Sequence, residues 1–198
     1  MTQTITISTS GVKDFDLSDL QEYHQFSDEW FEGVWVLPAG ITEYLLYAYL
    51  SHQVFGATIL DIGTRSGGSA IALSSNPLNK VISFDIVEWP SYTQLKKDNI
   101  ELRIGNFMED NIDYNNVDII MIDVDPHDGL QEPPMLQFLI DNNWSGLLLL
   151  DDIGPPWPAI QSWWNSLPYE KYDLTDIGHW SGTGLVNIGD KFKIRMEE

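Results

Sequence analysis

Short apolar segments that end on acidic or amide residues alternate along most of the chain with segments of helical periodicity. The apolar segments are ATILDIG, KVISFDI, IELRIGNF, VDIIMIDVD and WSGLLLLDD, and segments such as GITEYLLYAYLSHQ and LQEPPMLQFLIDN have the helical pattern. Because parallel neighbouring strands need a long connection, usually a helix, this alternation predicts right-handed crossovers and a parallel sheet covered on both faces. The pattern therefore predicts a doubly wound α/β fold.

Two further strands, approximately KYDLTDI and GLVNIGDKFKI, follow with no helix between them and are expected to form an antiparallel hairpin at the sheet edge. The prediction is a mostly parallel seven-stranded sheet. The chain of 198 residues contains no repeat or linker, so one domain, residues 1–198, is expected. Within it, the polar and acidic residues 1–33 with their scattered aromatics are expected to cap a core of residues 34–198.

The charge of the chain limits its partners. It has 30 Asp and Glu against 10 Lys and Arg, a formal net charge of −20, so neither a nucleic acid nor an anionic membrane is expected as a partner. The absence of cysteine excludes disulfides, thiolate zinc sites, iron–sulfur clusters and a cysteine nucleophile. Without a signal-like or membrane-spanning run, a soluble cytoplasmic protein is expected. The oligomeric state stays open, a homo-oligomer included.

Polar residues end each of the five strands that the pattern predicts. They are Asp61 with Gly63, Asp85, Asn106, Asp123 with Asp125, and Asp151 with Asp152. Ligands of doubly wound sheets bind beyond the carboxyl ends of the strands, where the strand order reverses. A partly desolvated carboxylate costs free energy unless it meets a hydroxyl, an amine or a cation, so these residues predict a binding site. Solvated strand ends would explain one or two of them.

The loop from Asp61 to Gly68 joins the first strand to a helix, and its glycines allow a tight turn and a close approach to a ligand. It lacks the Gly-Lys-Ser/Thr of phosphate loops, and Arg65 occupies the second glycine position of the dinucleotide pattern. Phosphates are therefore not indicated. Asp85 ends the next strand, where an acid can accept hydrogen bonds from both hydroxyls of a ribose. The loop and Asp85 together favour a nucleoside-type ligand.

The segments ILDIGTRSGG, VISFD, IGNFM and VDIIMID resemble the successive motifs of class I S-adenosylmethionine-dependent methyltransferases, in order and at similar spacing, over roughly residues 35–195. The resemblance implies the Rossmann-like methyltransferase fold and S-adenosylmethionine as cofactor. Arg65 differs from the small residues often found in that loop, which leaves its role open. The resemblance also implies the cofactor-binding residues: Asp61, Gly63, Thr64, Gly67 and Ser69 around the methionine and sugar, Asp85 at the ribose, and Asn106 and Phe107 beside the adenine.

The second half of the chain resembles the small-molecule O-methyltransferases that use a divalent metal, including catechol-type and sugar-modifying branches. This resemblance implies that Asp123, Asp151 and Asp152 bind magnesium. Neighbouring parallel strands lie about 4.8 Å apart, so carboxylates at adjacent strand ends can share one hard cation. No Lys or Arg between Arg103 and Lys171 offsets these acids, which favours a cation over the alternative that solvent alone surrounds them.

His127 follows the fourth strand and stands among acids that are expected to raise its pKa. It is predicted to act as the general base, with Asp123 as the second catalytic residue. Some sugar-modifying relatives carry a histidine just after the equivalent acid, although Pro126 changes the spacing here. The alternative is a surface histidine in an acidic loop. His24, His52 and His179 are weaker candidates, of which His179 could border the pocket.

The sequence thus predicts an S-adenosylmethionine-dependent O-methyltransferase that modifies a hydroxyl of a small or sugar-like acceptor with the help of a divalent metal such as Mg²⁺. The eight tryptophans suggest an aromatic-lined acceptor pocket, and Trp35, Trp157 and Trp180 are the ones to test. The alternatives are a metal-independent methyltransferase, a non-catalytic nucleoside- or sugar-binding module, and an NAD-type oxidoreductase, which the missing second glycine disfavours. A nucleic-acid methyltransferase is disfavoured by the acidic charge.

Overall fold

All five predicted parallel strands are present in the structure, a computed structural model that describes residues 2–26 and 38–198, without the side chains of residues 24–26 and 38–41. Within these residues the strands are β1 (Gln3–Ser8), β2 (Thr58–Ile62), β3 (Lys80–Asp85), β4 (Ile100–Ile104), β5 (Ile119–Ile122), β6 (Gly146–Asp151), β7 (Glu170–Asp173), β8 (Thr183–Ile188) and β9 (Phe192–Glu197). The α-helices are α1 (Thr9–Lys13), α2 (Pro38–Gln53), α3 (Gly68–Leu73), α4 (Pro90–Gln94), α5 (Glu132–Asp141) and α6 (Pro158–Ser166). Short 3₁₀ segments span Ser18–Phe26, Phe107–Glu109, Tyr114–Asn116 and Thr175–Ile177.

The main sheet has seven strands in the order β4-β3-β2-β5-β6-β8-β7, and β2 to β6 run parallel. The chain moves outward from β2 through β3 and β4 and then returns to the other side of β2 for β5 and β6. The strand order therefore reverses between β2 and β5, the point beyond which such sheets bind their ligands. The predicted doubly wound, mostly parallel seven-stranded sheet is confirmed.

The C-terminal hairpin is confirmed in part. β7 and β8 pair antiparallel, and β8 also pairs antiparallel with β6, so β7 is the edge strand. The prediction of one last strand over residues 184–194 is wrong, because this segment divides at Gly189 into β8 and β9. Gly189 has a φ of +79°, a left-handed conformation that interrupts an extended strand and that glycine adopts without steric cost.

β9 leaves the main sheet and pairs in parallel with β1, in a register that sets Gln3 beside Phe192. The side chains of Ile5 and Ile7 in β1 are buried in the same apolar cluster as Ile194 in β9. The described part of the predicted N-terminal cap therefore packs against the body through apolar side chains, and the rest of that cap lies outside the described residues. The sequence did not predict β1 as a strand.

Each face of the main sheet has its own apolar cluster under the helices. Ile59 of β2 packs in the cluster that contains Leu46 of α2, whereas its neighbour Leu60 packs in the cluster that contains Leu136 of α5 and Ile160 of α6. Successive side chains of a strand point to opposite faces, so both residues are buried only because helices cover both faces. No helix in the described ranges is long and apolar enough to cross a membrane.

Candidate functional site

A cavity of about 570 Å³ lies beyond the carboxyl ends of β2, β3, β5 and β6, where the strand order reverses. A volume of this size is typical of a small-molecule site. Of the residues that the sequence predicts for the site, those that line the cavity are Gly63, Thr64, Ser69, Asp85, Asn106, Phe107, Asp123, His127, Asp151 and Asp152. The structure thus brings most of the predicted site residues together around one space.

The loop after β2 approaches the end of β5 closely at Gly63. This glycine has a φ of +88°, and its N–H donates to the carbonyl of Phe84 at 2.9 Å. A Cβ on Gly63 would lie 1.7 Å from the carbonyl oxygen of Asp123. Glycine is therefore required here by the contact between the two strand ends, in addition to the ligand approach that the sequence suggests.

Asp85 is held at the end of β3 by two backbone amides. Its Oδ2 accepts a hydrogen bond from the N–H of Arg65 at 2.8 Å, and its Oδ1 accepts one from the N–H of Val87 at 2.8 Å. Each carboxylate oxygen keeps a further lone pair that a ligand hydroxyl can use. Ile86 and Val87 are 78% and 44% exposed and line the cavity beside it. A fixed carboxylate next to an apolar surface suits the predicted ribose position, which stays a prediction.

Asn106 and Phe107 lie at the same end of the cavity, after β4. The Oδ1 of Asn106 accepts the N–H of Met108 at 3.1 Å and so begins the short 3₁₀ segment there. The Phe107 ring is buried and packs edge-on against Phe84 and Phe138, at centroid distances of 6.4 and 6.0 Å. Both residues are therefore held by the fold in the place where an adenine contact was predicted.

Asp61 and Gly67 lie behind the cavity wall that Thr64 and Ser69 line. Asp61 is fully buried, and its Oδ2 accepts the hydroxyl of Ser83 at 2.7 Å. Burial raises the pKa of Asp61, and the Ser83 hydroxyl offsets part of that rise. Gly67, with a φ of +95°, is the residue before α3. Neither residue lines the cavity, and the cofactor contacts predicted for both stay predictions.

The part of the cavity beyond β5 and β6 holds a cluster of His127, Asp123 and Asp152. The Nδ1 of His127 donates to the Oδ2 of Asp152 at 2.7 Å, and it lies 4.0 Å from the Oδ1 of Asp123. The Nε2 of the same ring lies 3.0 Å from the Oδ1 of Asp125. One potential ligand atom of each residue in the cluster lies within 4.8 Å of the others. His127 therefore lines the cavity with a mostly buried ring, and its role as general base stays a prediction.

The charges of this cluster shift the pKa of each member. The hydrogen bond to Asp152, helped by the charges of Asp123 and Asp125, raises the pKa of His127 to about 9 against the opposing effect of burial. Burial and the neighbouring Asp152 carboxylate raise the pKa of Asp123 to about 7. Burial also acts to raise the pKa of Asp152, but the hydrogen bonds from His127 and Ser181 outweigh it and the pKa is lowered. At neutral pH the structure thus pairs an imidazolium with the Asp152 carboxylate.

Asp151 belongs to a second cluster, with Glu43 and His179, and its predicted metal-binding role with Asp123 and Asp152 stays a prediction. Burial and the charge of Asp123 raise the pKa of Asp151, and burial and the charge of Asp151 raise that of Glu43. Sequence reasoning missed Glu43. A signal was present, because Glu43 is the only Asp, Glu, Lys or Arg in the otherwise apolar segment of α2, where an exposed acid would more often have polar neighbours.

Two of the three tryptophans suggested for the acceptor pocket line the cavity. The ring of Trp157 lies 4.9 Å from that of His127, between centroids. Trp180 is 62% exposed, and its ring lies 5.6 Å from that of His179. Trp35 lies outside the described residues. His179 lines the cavity as well, in agreement with the suggestion that it borders the pocket.

The other residues that the sequence singled out divide between the cavity and the surface. Arg65 lines the cavity, and its guanidinium lies 5.5 Å above the ring of Trp89. His52 contacts the hydroxyl of Ser75 at 3.1 Å on the exposed surface, away from the cavity. The side chain of His24 lies outside the described residues. Arg65 is thus the residue of this group that can meet a ligand.

No protein-family model and no curated protein matches the sequence. Solved structures match the fold. An O-methyltransferase from Bacillus cereus in complex with SAH is similar with a TM-score of 0.63 at 19% identity, and the match covers 91% of this chain and 95% of that one. A methyltransferase from Geobacter sulfurreducens gives a TM-score of 0.62 at 12% identity, covering 87% and 90%. The O-methyltransferase TomG from Streptomyces achromogenes, in complex with SAM, has a TM-score of 0.57 at 15% identity, and the match covers 88% of this chain and 91% of that one.

These matches cover almost the whole chain at low identity, and likeness of this kind shows the fold. The chain has the Rossmann-like fold of S-adenosylmethionine-dependent methyltransferases. The fold that the sequence motifs implied is therefore confirmed.

Proposed function

We propose that this protein transfers a methyl group from S-adenosylmethionine to a hydroxyl of a small or sugar-like acceptor. The observation that carries the proposal is one cavity that holds the Gly63 loop and Asp85 at one end and the hydrogen-bonded pair of His127 and Asp152 at the other. A nucleoside-binding end and a proton-accepting end in one space are what transfer of a methyl group to a hydroxyl requires. The similar solved O-methyltransferases support it.

The cofactor end of the cavity fits S-adenosylmethionine, which when bound supplies a methyl group on a positively charged sulfur. Asp85 is fixed by two backbone amides and can accept hydrogen bonds from a ribose. Ile86 and Val87 offer exposed apolar surface of the kind that packs against an adenine. Thr64 and Ser69 bring hydroxyls to the loop between them. These residues would bind and orient the donor.

His127 and Asp123 are the residues that would take the proton of the acceptor hydroxyl. Asp152 holds the imidazole ring in place through Nδ1, which leaves Nε2 as the nitrogen that can accept a proton once it has lost its own. The Nε2 contact is to Asp125, whose side chain is 80% exposed, so an acceptor can replace it. Asp123, with a pKa of about 7, is a second proton acceptor close to the same point.

The carboxylates of Asp123 and Asp152 fit a divalent cation such as Mg²⁺, which is commonly bound through one or two carboxylates with waters or substrate oxygens in the other positions. When bound, this ion would lower the pKa of an acceptor hydroxyl. Asp151, the third residue of the predicted set, also groups with Glu43 and His179. The direct contact between His127 and Asp152 favours a base over a metal ligand as the role of His127.

Trp157 and Trp180 would hold the acceptor. Each ring lies tilted beside a histidine of the cavity wall, and flat aromatic faces pack against sugar C–H faces and planar rings alike. Arg65 is the only Lys or Arg among the described residues that line the cavity, whereas Glu43, Asp123 and Asp152 bring acids to it. An uncharged or cationic acceptor therefore suits the cavity better than an anionic one.

The proposal is tested first by binding. We expect native mass spectrometry of the purified protein to show S-adenosylhomocysteine, and calorimetry to show that Asp85→Ala weakens its binding by about 10-fold to 100-fold, the effect of losing a charge-assisted hydrogen bond. Asp190→Ala removes an exposed carboxylate in the turn after β8, at the ends of the strands opposite the cavity, and should leave the affinity unchanged. Failure of the wild type to bind S-adenosylhomocysteine or S-adenosylmethionine would refute the proposal.

The reaction is tested next with S-adenosylmethionine that carries a labelled methyl group and a panel of catechols, phenols and sugars. Label should appear on an acceptor oxygen and depend on His127. Tight binding of the cofactor without transfer to any hydroxyl would instead favour the non-catalytic nucleoside-binding module.

A further inference from the structure

We propose that Glu43, Asp151 and His179 form a second cation site, for a divalent transition-metal ion, in the wall of the cavity. The site goes beyond the proposed methyl transfer and does not depend on it. One potential ligand atom from each of the three residues lies within 4.8 Å of the others. All three residues line the cavity, so an ion can reach them from solvent.

The three residues come from three different elements: Glu43 from α2, Asp151 from the end of β6, and His179 from the loop before β8. Their side chains are also mostly buried. Glu43 is 8% exposed, and the side chains of Asp151 and His179 are 8% and 12% exposed. Buried carboxylates from separate elements are costly unless an opposite charge or protons offset them. This burial separates the cluster from the solvated acids of an ordinary acidic surface.

The hydrogen bonding of Asp151 points independently to a missing partner. Its Oδ1 is buried and makes no hydrogen bond to any described residue, while its Oδ2 lies 3.7 Å from the Nδ1 of His179. Buried carboxylate oxygens are nearly always satisfied, so an orphaned one inside a ligand cluster indicates a bound group. A cation bound to this carboxylate would provide that oxygen with a partner. It would also offset the charge repulsion between Asp151 and Glu43.

Hydrogen bonds from surrounding residues hold the ligand side chains in position. The hydroxyl of Tyr47 donates to the Oε1 of Glu43 at 2.6 Å, and the hydroxyl of Ser181 lies 2.5 Å from the Nδ1 of His179. Partners of this kind orient the ligands of metal sites and are part of the design of such sites.

Backbone contacts join the three elements to each other. The Thr42 hydroxyl donates to the carbonyl of Gly178 at 2.7 Å, which ties α2 to the loop of His179. The N–H of Gly154 donates to the carbonyl of Ser181 at 2.7 Å, which ties that loop to the segment after β6. The cluster is therefore a preorganised site and not a chance meeting of mobile side chains.

The ligand types indicate the class of ion. Two carboxylates and one imidazole form a mixed oxygen and nitrogen set, which suits Mn²⁺, Co²⁺ or Zn²⁺ better than Mg²⁺ or Ca²⁺. The carboxylates of Asp123 and Asp152 next to it suit Mg²⁺. Because His127 could add an imidazole to that cluster as well, substitutions at Glu43 and His179, and not the choice of ion alone, separate the two sites.

The test is calorimetric titration of the full chain, freed of metal with a chelator and then kept in excess Mg²⁺, with Co²⁺. We expect one Co²⁺ per chain, and we expect Glu43→Gln and His179→Ala each to weaken its binding by more than about tenfold, since even the loss of a supporting residue costs that much. His52→Ala removes an exposed imidazole outside the cavity and is the matched control. His127→Ala should also leave this site intact.

Glu43→Gln keeps the volume of the side chain and an acceptor for Tyr47, so it should fold. Its circular dichroism and metal-free melting temperature are measured alongside, and Co²⁺ should raise the melting temperature of the wild type but not of this variant. Equal Co²⁺ affinity in the wild type, Glu43→Gln and His179→Ala would overturn the proposal, as would a wild type that binds none. Binding of S-adenosylhomocysteine is measured separately in the presence of chelator, so a negative result for one proposal does not affect the test of the other.

Discussion

The pair of His127 and Asp152 makes the stability of the protein depend on pH in a way that one substitution can isolate. His127→Gln removes the titrating ring and keeps a polar side chain of similar size. In the folded protein the pKa of His127 is raised from 6.5 to about 9, first by the hydrogen bond to Asp152. At about 1.4 kcal/mol for each pH unit, this rise corresponds to about 3 kcal/mol of stabilisation.

The sign follows from the direction of the shift. Because the folded-state pKa lies above the unfolded one, the contribution is complete below about pH 6.5 and is lost as the pH rises through about 9. The lowered pKa of Asp152 reflects the same contact, so the stabilisation from Asp152 is not added to the figure of about 3 kcal/mol. In the variant Asp152 can take up a proton, which makes about 3 kcal/mol an upper limit for the loss.

The measurement is urea unfolding in chelator, followed by tryptophan fluorescence, at pH 6 and pH 9.5. We expect His127→Gln to lower the free energy of unfolding relative to the wild type by up to about 3 kcal/mol at pH 6, and by much less at pH 9.5. His52→Gln, on the exposed surface, should show no such difference. A loss that is equal at the two pH values, or larger at pH 9.5, would refute the ion pair as the cause.

Three further outcomes are expected. Gly63→Ala should lower the melting temperature more than Gly56→Ala. Both residues have a positive φ, but only a Cβ at position 63 would meet another atom, the carbonyl oxygen of Asp123 at 1.7 Å. Equal decreases in melting temperature would contradict this. Excess EDTA should abolish methyl transfer while calorimetry still detects S-adenosylhomocysteine, and full activity in chelator would favour the metal-independent enzyme. His127→Ala should lower kcat by roughly 10²–10⁴ and remove the rise of the rate toward pH 9, and an unchanged profile would assign the proton to Asp123, Asp125 or water.

The sequence predicted the parallel sheet and the edge that carries the cavity because β2, β3, β5 and β6 are mostly buried and polar residues stand at or just after their ends. Asp85, Asp123 and Asp152 could be found in this way, since the carboxyl ends of parallel strands meet at one edge. The strand ends could not reveal Glu43, because α2 reaches the cavity only through the packing of the helix on the sheet, and the one signal for it was its isolation as the only acid of α2.

Neighbours in sequence also proved to be poor guides to partners in space. Asp151 and Asp152 are adjacent, yet one joins Glu43 and His179 and the other joins Asp123 and His127. Asp152 has a φ of +62°, so the chain turns sharply between the two carboxylates. Asp61, which the resemblance placed beside the cofactor, is fully buried and accepts the hydroxyl of Ser83 from the neighbouring strand. Local backbone conformation and burial of this kind are not encoded in spacing alone.

The pairing of β1 with β9 has a consequence for the synthesis of the protein. Gln3 faces Phe192, so at roughly 5–20 residues per second β1 leaves the ribosome at least about ten seconds before its partner strand exists. During that time Ile5 and Ile7 have no Ile194 beside them, so this part of the apolar cluster is incomplete. β1 is thus expected to settle late, and its amides should exchange with solvent together with those of β9, as one cooperative unit.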